Sequence, residues 1–135
     1  MADSTTVQAR TPGAKRAGDD EFFFELDKLN QIKGGPEYSS AEGTCVEGER
    51  MMVALMHKAA GTGADPHSHP NEQWIYVMEG TLEATVGGKT AIVETGSVIY
   101  VPSNVVHSTR VVGDRDVTFF TVKDTSHGLH GIKQT

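Results

Sequence analysis

The residues of this sequence best suited to chemistry are its histidines, six in 135 residues, against a single cysteine, Cys45. One cysteine can form neither an internal disulfide nor a thiolate cage around a metal. Imidazole nitrogen is a good ligand for Fe, Ni, Cu, Zn or Mn, whereas Mg and Ca prefer oxygen. Any metal centre in this chain is therefore expected to use nitrogen and oxygen ligands.

Three histidines occur at spacings that β-strands can bring together. His67 and His69 are two residues apart, so in a strand their side chains point to the same face. That face continues through Asn71 and Gln73 and then becomes apolar. His107 begins a separate strand pattern 38 residues after His69. On this pattern alone, each histidine is either a hydrogen-bonded core residue or a metal ligand.

The strands that must position these residues are short and are separated by turn signals. They are predicted at residues 51–58, 73–78, 81–86, 89–94, 97–101, 105–112 and 117–123. Gly87-Gly88 supplies a two-residue hairpin turn between two of them. The spacing of Leu26, Leu29 and Ile32 is helix-like, but Gly34-Gly35-Pro36 ends any helix begun there. This arrangement predicts an all-β sandwich or barrel.

The two ends of the chain differ in composition from the strand-rich part. Residues 1–20 hold few large apolar groups and are expected to form a flexible tail. Residues 21–125 are expected to form one domain, and residues 126–135 a C-terminal tail. His127 and His130 in that tail either cover the site or stay loose, and we favour the loose arrangement. The run Phe22-Phe23-Phe24 is expected to pack on the domain edge or, alternatively, on a partner subunit.

Charge and hydropathy narrow the classes of partner. Lys and Arg number 12 against 18 Asp and Glu, for a net charge of -6 with neutral histidine. Such a chain lacks the broad positive field that nucleic acid or an anionic membrane requires. No apolar leader or transmembrane stretch is present, so a cytoplasmic location is expected. Open sheet edges and outward aromatic residues such as Trp74 and Tyr76 predict a homodimer.

Two stretches over roughly residues 40–123 resemble the paired sequence motifs of the cupin family. The first stretch reads Gly61-x5-His67-x-His69-x3-Gln73-x6-Gly80. The second reads Gly96-x5-Pro102-x-Asn104-x2-His107 and follows after 15 residues. Gln73 replaces the Glu that the family usually carries, and Val111 stands where the family has Asn. Asn104 replaces a Gly, and Asn tolerates the left-handed backbone nearly as well.

The resemblance implies a small, RmlC-like jelly-roll barrel (a double-stranded β-helix) with a metal inside one end. It places one divalent transition metal on His67, His69, Gln73 and His107. Fe(II) is favoured, with Mn, Ni, Zn and Cu as alternatives. These ligands are all neutral, so the full charge stays on the metal and favours an anionic or enolisable small molecule.

The favoured function is a metal-dependent, dioxygenase-type oxidoreductase for a small enolisable, phenolic or diketone substrate, as in small cupins that the sequence resembles. Because Gln73 cannot serve as a base, His57 is the candidate catalytic residue for proton transfer. His57 shares a strand face with Val53 and Leu55, which we expect to point toward the mouth of the barrel. The alternatives are a non-redox cupin (polyketide cyclase, isomerase or lyase) and a cupin that binds a small ligand without catalysis.

Overall fold

The computed structural model describes residues 9–134 and consists mainly of β-strands. The strands are β1 (Lys15–Arg16), β2 (Ile32–Lys33), β3 (Glu42–Glu47), β4 (Met51–Lys58), β5 (Gly63–Ser68), β6 (Gln73–Glu79), β7 (Thr81–Val86), β8 (Lys89–Glu94), β9 (Val98–Val101), β10 (His107–Val111), β11 (Val117–Asp124) and β12 (Ile132–Lys133). Among the described residues, helix is limited to one 3₁₀ turn at Leu26–Lys28. None of these residues belongs to a helix long and apolar enough to cross a membrane.

The strands form two sheets that enclose the core. One sheet has the order β1-β3-β4-β11-β6-β9, with β2 also paired to β3, and the other has the order β12-β5-β10-β7-β8. The chain crosses repeatedly from one sheet to the other, as when β11 inserts between β4 and β6. This connectivity is that of a jelly roll. The prediction of an all-β jelly-roll barrel is confirmed.

Local turn chemistry sets where several strands begin and end. The Gly87-Gly88 turn joins β7 to β8 as predicted, and Val86 pairs with Lys89 across it. Strand β10 is shorter than predicted because residues 102–106 form a turn before it. Asn104 adopts a left-handed φ of 63° in this turn, and its N–H donates to the carbonyl of His69 at 2.8 Å. The expected glycine-like conformation of Asn104 is therefore confirmed.

Strand β4 decides which side chains of one apolar run enter the core. Met52, Ala54 and Met56 are buried, at 2% exposure or less, and Lys58 follows on the same face. The opposite face is partly or fully exposed and carries His57. Both faces of this run are largely apolar, so only packing against the second sheet selects the inward one. The face of His57, which was expected to point toward the mouth of the barrel, is the outer face of β4.

Both ends of the chain contact the barrel where the structure describes them. Strand β1 pairs in parallel with β3, and β12 pairs with β5. Thr11 is buried, and its Oγ1 accepts a hydrogen bond from the N–H of Leu129 at 2.7 Å. Both segments were expected to be loose, yet strand pairing attaches them to the barrel and this hydrogen bond joins them to each other. Residues 1–8 and 135 of the predicted tails lie outside the described residues.

Only one residue of the aromatic run near the N-terminus, Phe24, lies against the domain edge. Phe22 is 70% exposed and Phe23 is 94% exposed, whereas Phe24 is half-buried. The alternative expectation, that this run meets a partner subunit, stays a prediction.

Candidate metal centre

Three histidines meet inside the barrel between the two sheets. His67 lies in β5 and pairs with His107, the first residue of β10, while His69 follows the end of β5. One ring nitrogen from each of the three lies within 4.8 Å of the others, and all three side chains are buried. Parity places His67 and His69 on one inward side, but the pairing of β5 with β10 is what brings His107 to them. The face expected to continue from His67 to Gln73 is not one strand, because β5 ends at Ser68 and Gln73 begins β6 in the other sheet.

Hydrogen bonds from one ring nitrogen of each histidine orient the other nitrogen toward the centre. The Nδ1 atoms of His67, His69 and His107 lie 2.6, 3.0 and 2.9 Å from backbone carbonyl oxygens of Asp65, Asn71 and Val105. A carbonyl oxygen only accepts hydrogen bonds, so each Nδ1 carries the proton and donates. Each Nε2 is left with a free lone pair. Metal-ligating histidines typically show this arrangement, in which one ring nitrogen donates to a carbonyl and the other is free to bind the metal.

Gln73 presents its oxygen, not its nitrogen, to this cluster. The hydroxyl of Thr121 donates to the carbonyl of Trp74 at 2.8 Å, so its oxygen is free to accept from Nε2 of Gln73 at 2.8 Å. That contact turns Oε1 of Gln73 toward Nε2 of His69, at 3.0 Å. Both ring nitrogens of His69 thus face oxygen acceptors, although a neutral imidazole carries only one N–H.

Protonation does not relieve this conflict, because burial keeps the histidines neutral. Burial lowers the pKa of His67 to about 3, with a contribution from nearby His107, and lowers that of His69 to about 4. Burial likewise lowers the pKa of His107 to about 4. Nε2 of His107 is buried and has no hydrogen-bond partner among the described residues. A cation that accepts these lone pairs satisfies all of these atoms together, so the donor set fits a divalent transition metal.

A cavity of about 50 Å³ adjoins the cluster and is lined by His67, Gln73 and His107. At roughly 10–15 Å³ for each water, it has room for about four waters. Two lysines, Lys58 and Lys123, also line this cavity although both are buried. Burial lowers the pKa of each to about 7, with a further contribution from Arg110 for Lys58. The interior therefore holds neutral imidazoles beside two amines that titrate near neutral pH.

The C-terminal segment and one tyrosine close part of this cavity. The ring of Tyr38 stacks on His67, with centroids 4.0 Å apart, and its hydroxyl accepts from the N–H of Gly131 at 2.7 Å. Leu129 is buried and lines the cavity, while Nδ2 of Asn71 donates to the carbonyls of Asp124 and His127 at 2.9 Å. The C-terminal segment thus lies against the site.

His57 is not brought to this cluster. Its side chain is 47% exposed on the outer face of β4, and its Nε2 lies 2.9 Å from Oδ2 of Asp116. His130 is also turned away, with its Nε2 2.8 Å from the carbonyl of Lys33. The remaining tail histidine, His127, is exposed and contacts its neighbour Ser126.

Sequence reasoning missed the two buried lysines. Lys58 alternates in step with Met52, Ala54 and Met56, and Lys123 in step with Phe119 and Thr121. A lysine at the end of an alternating strand ordinarily extends its ammonium group into solvent. The alternation of each lysine with apolar residues of its strand could have indicated its burial. That inference requires knowing which face of the strand points inward.

Comparisons with known proteins agree on the architecture. A family model described as "Cupin domain" matches residues 54–123. An uncharacterised protein of Streptomyces coelicolor is 33% identical over 87 residues, which cover 62% of this chain and 78% of the relative.

Several solved structures resemble this chain in fold at low sequence identity. An RmlC-like cupin from Shewanella frigidimarina is 18% identical with a TM-score of 0.68, covering 79% of this chain and 93% of that one. The protein KdgF from Halomonas sp. is 18% identical with a TM-score of 0.66, and the match covers 78% of this chain and 94% of KdgF. An oxalate decarboxylase from Bacillus subtilis is 20% identical with a TM-score of 0.66, covering 78% of this chain and 30% of that protein.

Proposed function

Since this chain belongs to the cupin family, we propose that it is an enzyme whose divalent transition metal is held by His67, His69, Gln73 and His107. The observation that carries this proposal is the facing pair of acceptors, Nε2 of His69 and Oε1 of Gln73, 3.0 Å apart in a buried site. The unpartnered Nε2 of His107 supports it. Fe(II) is our favoured metal, and Mn, Ni, Zn and Cu suit the same ligands.

The reaction that we propose is a dioxygenase-type oxidation of a small enolisable substrate. The metal, when bound, supplies a Lewis acid that polarises and orients the oxygen atoms of a chelating substrate. Both atoms of O2 enter the product, so no external reductant is needed. The neutral ligand set and the cations of Lys58 and Lys123 favour an anionic substrate. The narrow cavity favours a small one.

The residues of the chain supply proton handling and exclude water. We assign the role of proton donor to Nζ of Lys58 and not to the distant His57, because Lys58 lines the cavity and burial lowers its pKa to about 7. Leu129 and the ring of Tyr38 keep bulk water from His67. These contacts limit the access of bulk water to the site, and burial there strengthens charge interactions.

A buried amine that titrates near neutrality also suits non-redox chemistry. An isomerase, lyase or cyclase must move a proton on carbon or oxygen, and Lys58 is placed to take part. This is the second candidate function. A cupin that binds its ligand without turnover is the third, and the following experiment separates them.

Oxygen consumption by the Fe(II)-loaded protein tests the proposal across a panel of small diketones, catechols and enolisable carboxylates. We expect substrate-dependent uptake of O2, abolished in His107→Ala. Substrate loss without O2 uptake identifies the isomerase, lyase or cyclase alternative. Binding without turnover, with Fe, Mn, Ni, Zn or Cu, identifies a binding protein. Equal metal content in the wild type and in His107→Ala overturns the ligand assignment.

We further propose that the protein acts as a homodimer in the cytoplasm. The outer face of β6 and β9 presents Trp74, Tyr76 and Tyr100, each more than 40% exposed. Their rings form a broad surface, with Trp74 and Tyr100 centroids 4.7 Å apart. Aromatic residues grouped in this way are enriched at protein interfaces. The free, buried thiol of Cys45 agrees with a reducing compartment.

A further inference from the structure

Lys58 is a buried lysine for which the described residues provide no counterion. The residue is 5% exposed, and its Nζ donates to Oγ1 of Thr109 at 2.5 Å. Nζ also lies 5.4 Å from the ring centroid of Phe119. Among the described residues, no carboxylate lies within ion-pair distance of it. A buried charge without a partner destabilises the fold strongly, so its retention here calls for a function.

Lys58 lies in the same cavity as the candidate metal centre and contacts strand β10 further along than His107. Thr109 lies two residues beyond His107 on β10, and both side chains face the interior. At about 3.3 Å per residue, the contact between Lys58 and Thr109 lies roughly 7 Å further along this strand than His107. Lys58, Thr109 and His107 all line the same cavity. One small molecule can therefore reach both places.

The second buried lysine, Lys123, has a structural role. Nζ of Lys123 donates to the carbonyl of Leu129 at 2.6 Å and so helps to hold the C-terminal segment against the barrel. Lys58 holds no such segment, because its one described acceptor is the side chain of Thr109. An ammonium group has three N–H donors, so Lys58 keeps donors free for a ligand in the cavity.

We propose that Lys58 and Thr109 form an anion-binding subsite for the second acidic group of a substrate whose first acidic group binds at the histidine cluster. This inference rests on the proposed function, because the metal on that cluster holds the first group. The subsite selects a small dianion, such as a short dicarboxylate or a carboxylate that also carries an enolate. Neutral diketones leave Lys58 unpaired and are disfavoured.

The ionisation of Lys58 agrees with this role. Burial lowers the pKa of Lys58 to about 7, and nearby Arg110 lowers it further. A carboxylate against Nζ favours the charged form and raises this pKa again. A bound carboxylate therefore supplies the negative charge that pairs with the ammonium group of Lys58.

Titration calorimetry on the Zn(II)-loaded protein tests the subsite with malonate and acetate as probes. We expect malonate to bind the wild type at least about tenfold more tightly than acetate, because a hydrogen-bonded charge pair contributes that much. In Lys58→Met, malonate affinity falls about tenfold, while acetate affinity and zinc content stay unchanged. Lys89→Met, the same change at an exposed strand position, leaves malonate affinity unaltered.

Thr109→Val provides a second variant that keeps the shape of the core. We expect a loss of malonate affinity of about threefold, because Lys58 remains but loses its orienting acceptor. Equal affinities for malonate and acetate in the wild type overturn the subsite, as does unchanged malonate binding in Lys58→Met. Zinc content, measured separately, tests the metal site. A protein that takes up no zinc but binds malonate through Lys58 contradicts the metal centre and preserves the subsite.

Discussion

At the scale of single residues, the hydrogen bonds of Thr121 decide how Gln73 can act. The hydroxyl of Thr121 donates to Trp74 and accepts from the Gln73 amide, so Oε1 of Gln73 is the atom turned to His69. A carboxamide oxygen is a neutral and weaker ligand than a carboxylate. Gln73 therefore leaves more positive charge at the site than the usual Glu of the family would.

Substitution at position 73 measures this contribution directly. Gln73→Ala should weaken zinc binding about tenfold, a loss of the size seen when groups that support a metal site are removed. Gln73→Glu should tighten binding, because a carboxylate adds charge attraction. The measurement is competition with a chelating dye at pH 7.5. Wild-type affinity in Gln73→Ala, together with loss of zinc in His107→Ala, would show that Gln73 is not a ligand.

The depressed pKa of Lys58 predicts a pH dependence of stability. The folded protein releases this proton near pH 7, whereas the unfolded chain holds it up to about pH 10.4. Between these values the unfolded state binds more protons, so the free energy of unfolding rises with pH. Lys58 contributes a slope of about 1.4 kcal/mol per pH unit. The penalty for burying its charge is fully present below pH 7.

Urea unfolding of the wild type and Lys58→Met at pH 7.5, 8.5 and 9.5 checks this slope. The wild type should gain about 1.4 kcal/mol more per pH unit than the variant. The comparison cancels the groups that both proteins share. Parallel curves for the two proteins would mean that Lys58 keeps its ordinary ionisation in the folded state.

At the scale of elements, the two ends of the chain complete the barrel. The buried carboxylate of Glu47 accepts from the N–H of Arg10 at 2.8 and 3.0 Å and lies 3.7 Å from the guanidinium of Arg16. Thr11 then holds the N–H of Leu129, whose side chain lines the cavity. Glu47 thus supports, through two segments, the wall beside the candidate metal centre.

Removal of the Glu47 side chain should release the N-terminal segment. Glu47→Ala leaves the N–H of Arg10 without its acceptor, at a cost of about 1–3 kcal/mol in the local docking. We expect trypsin to cleave after Lys15 or Arg16 at least about tenfold faster than in the wild type. Glu42→Ala, which removes an exposed carboxylate from the same strand, is the matched control. Equal cleavage rates in all three proteins would contradict this role.

At the scale of the whole molecule, large apolar side chains are exposed on the surface as well as buried in the core. The outer face of β6 and β9 adds exposed Met78 and Val98 to its three aromatic residues, and Phe22 and Phe23 project from another segment. Large exposed apolar patches on small proteins mark association sites. A second copy of the chain, meeting through the β6–β9 face, is the partner that we propose.

Light scattering coupled to size-exclusion chromatography measures this association. The wild type should elute with about twice the chain mass of 14.5 kDa. Tyr76→Glu should shift the protein to a monomer, because a carboxylate in the centre of the contact is desolvated without a partner. Ile92→Glu, at an exposed position of the other sheet, should remain dimeric. A wild-type monomer would overturn the proposed dimer.

The sequence by itself determined the all-β fold and the shared inward side of His67 and His69. The reason is local, because strand alternation places residues two apart on one face. Turn residues such as Asn104, in its left-handed conformation, indicate from the sequence where a strand can begin.

Only the tertiary structure decided which face of an apolar strand is inward. That choice placed Lys58, and not His57, beside the cavity, and it depends on how the two sheets pack. The docking of the chain ends also depends on partners far apart in sequence, such as Thr11 with Leu129, 118 residues away. Strand periodicity contains no information about such contacts, because the free energy that forms them comes from burial and hydrogen bonding in the assembled barrel.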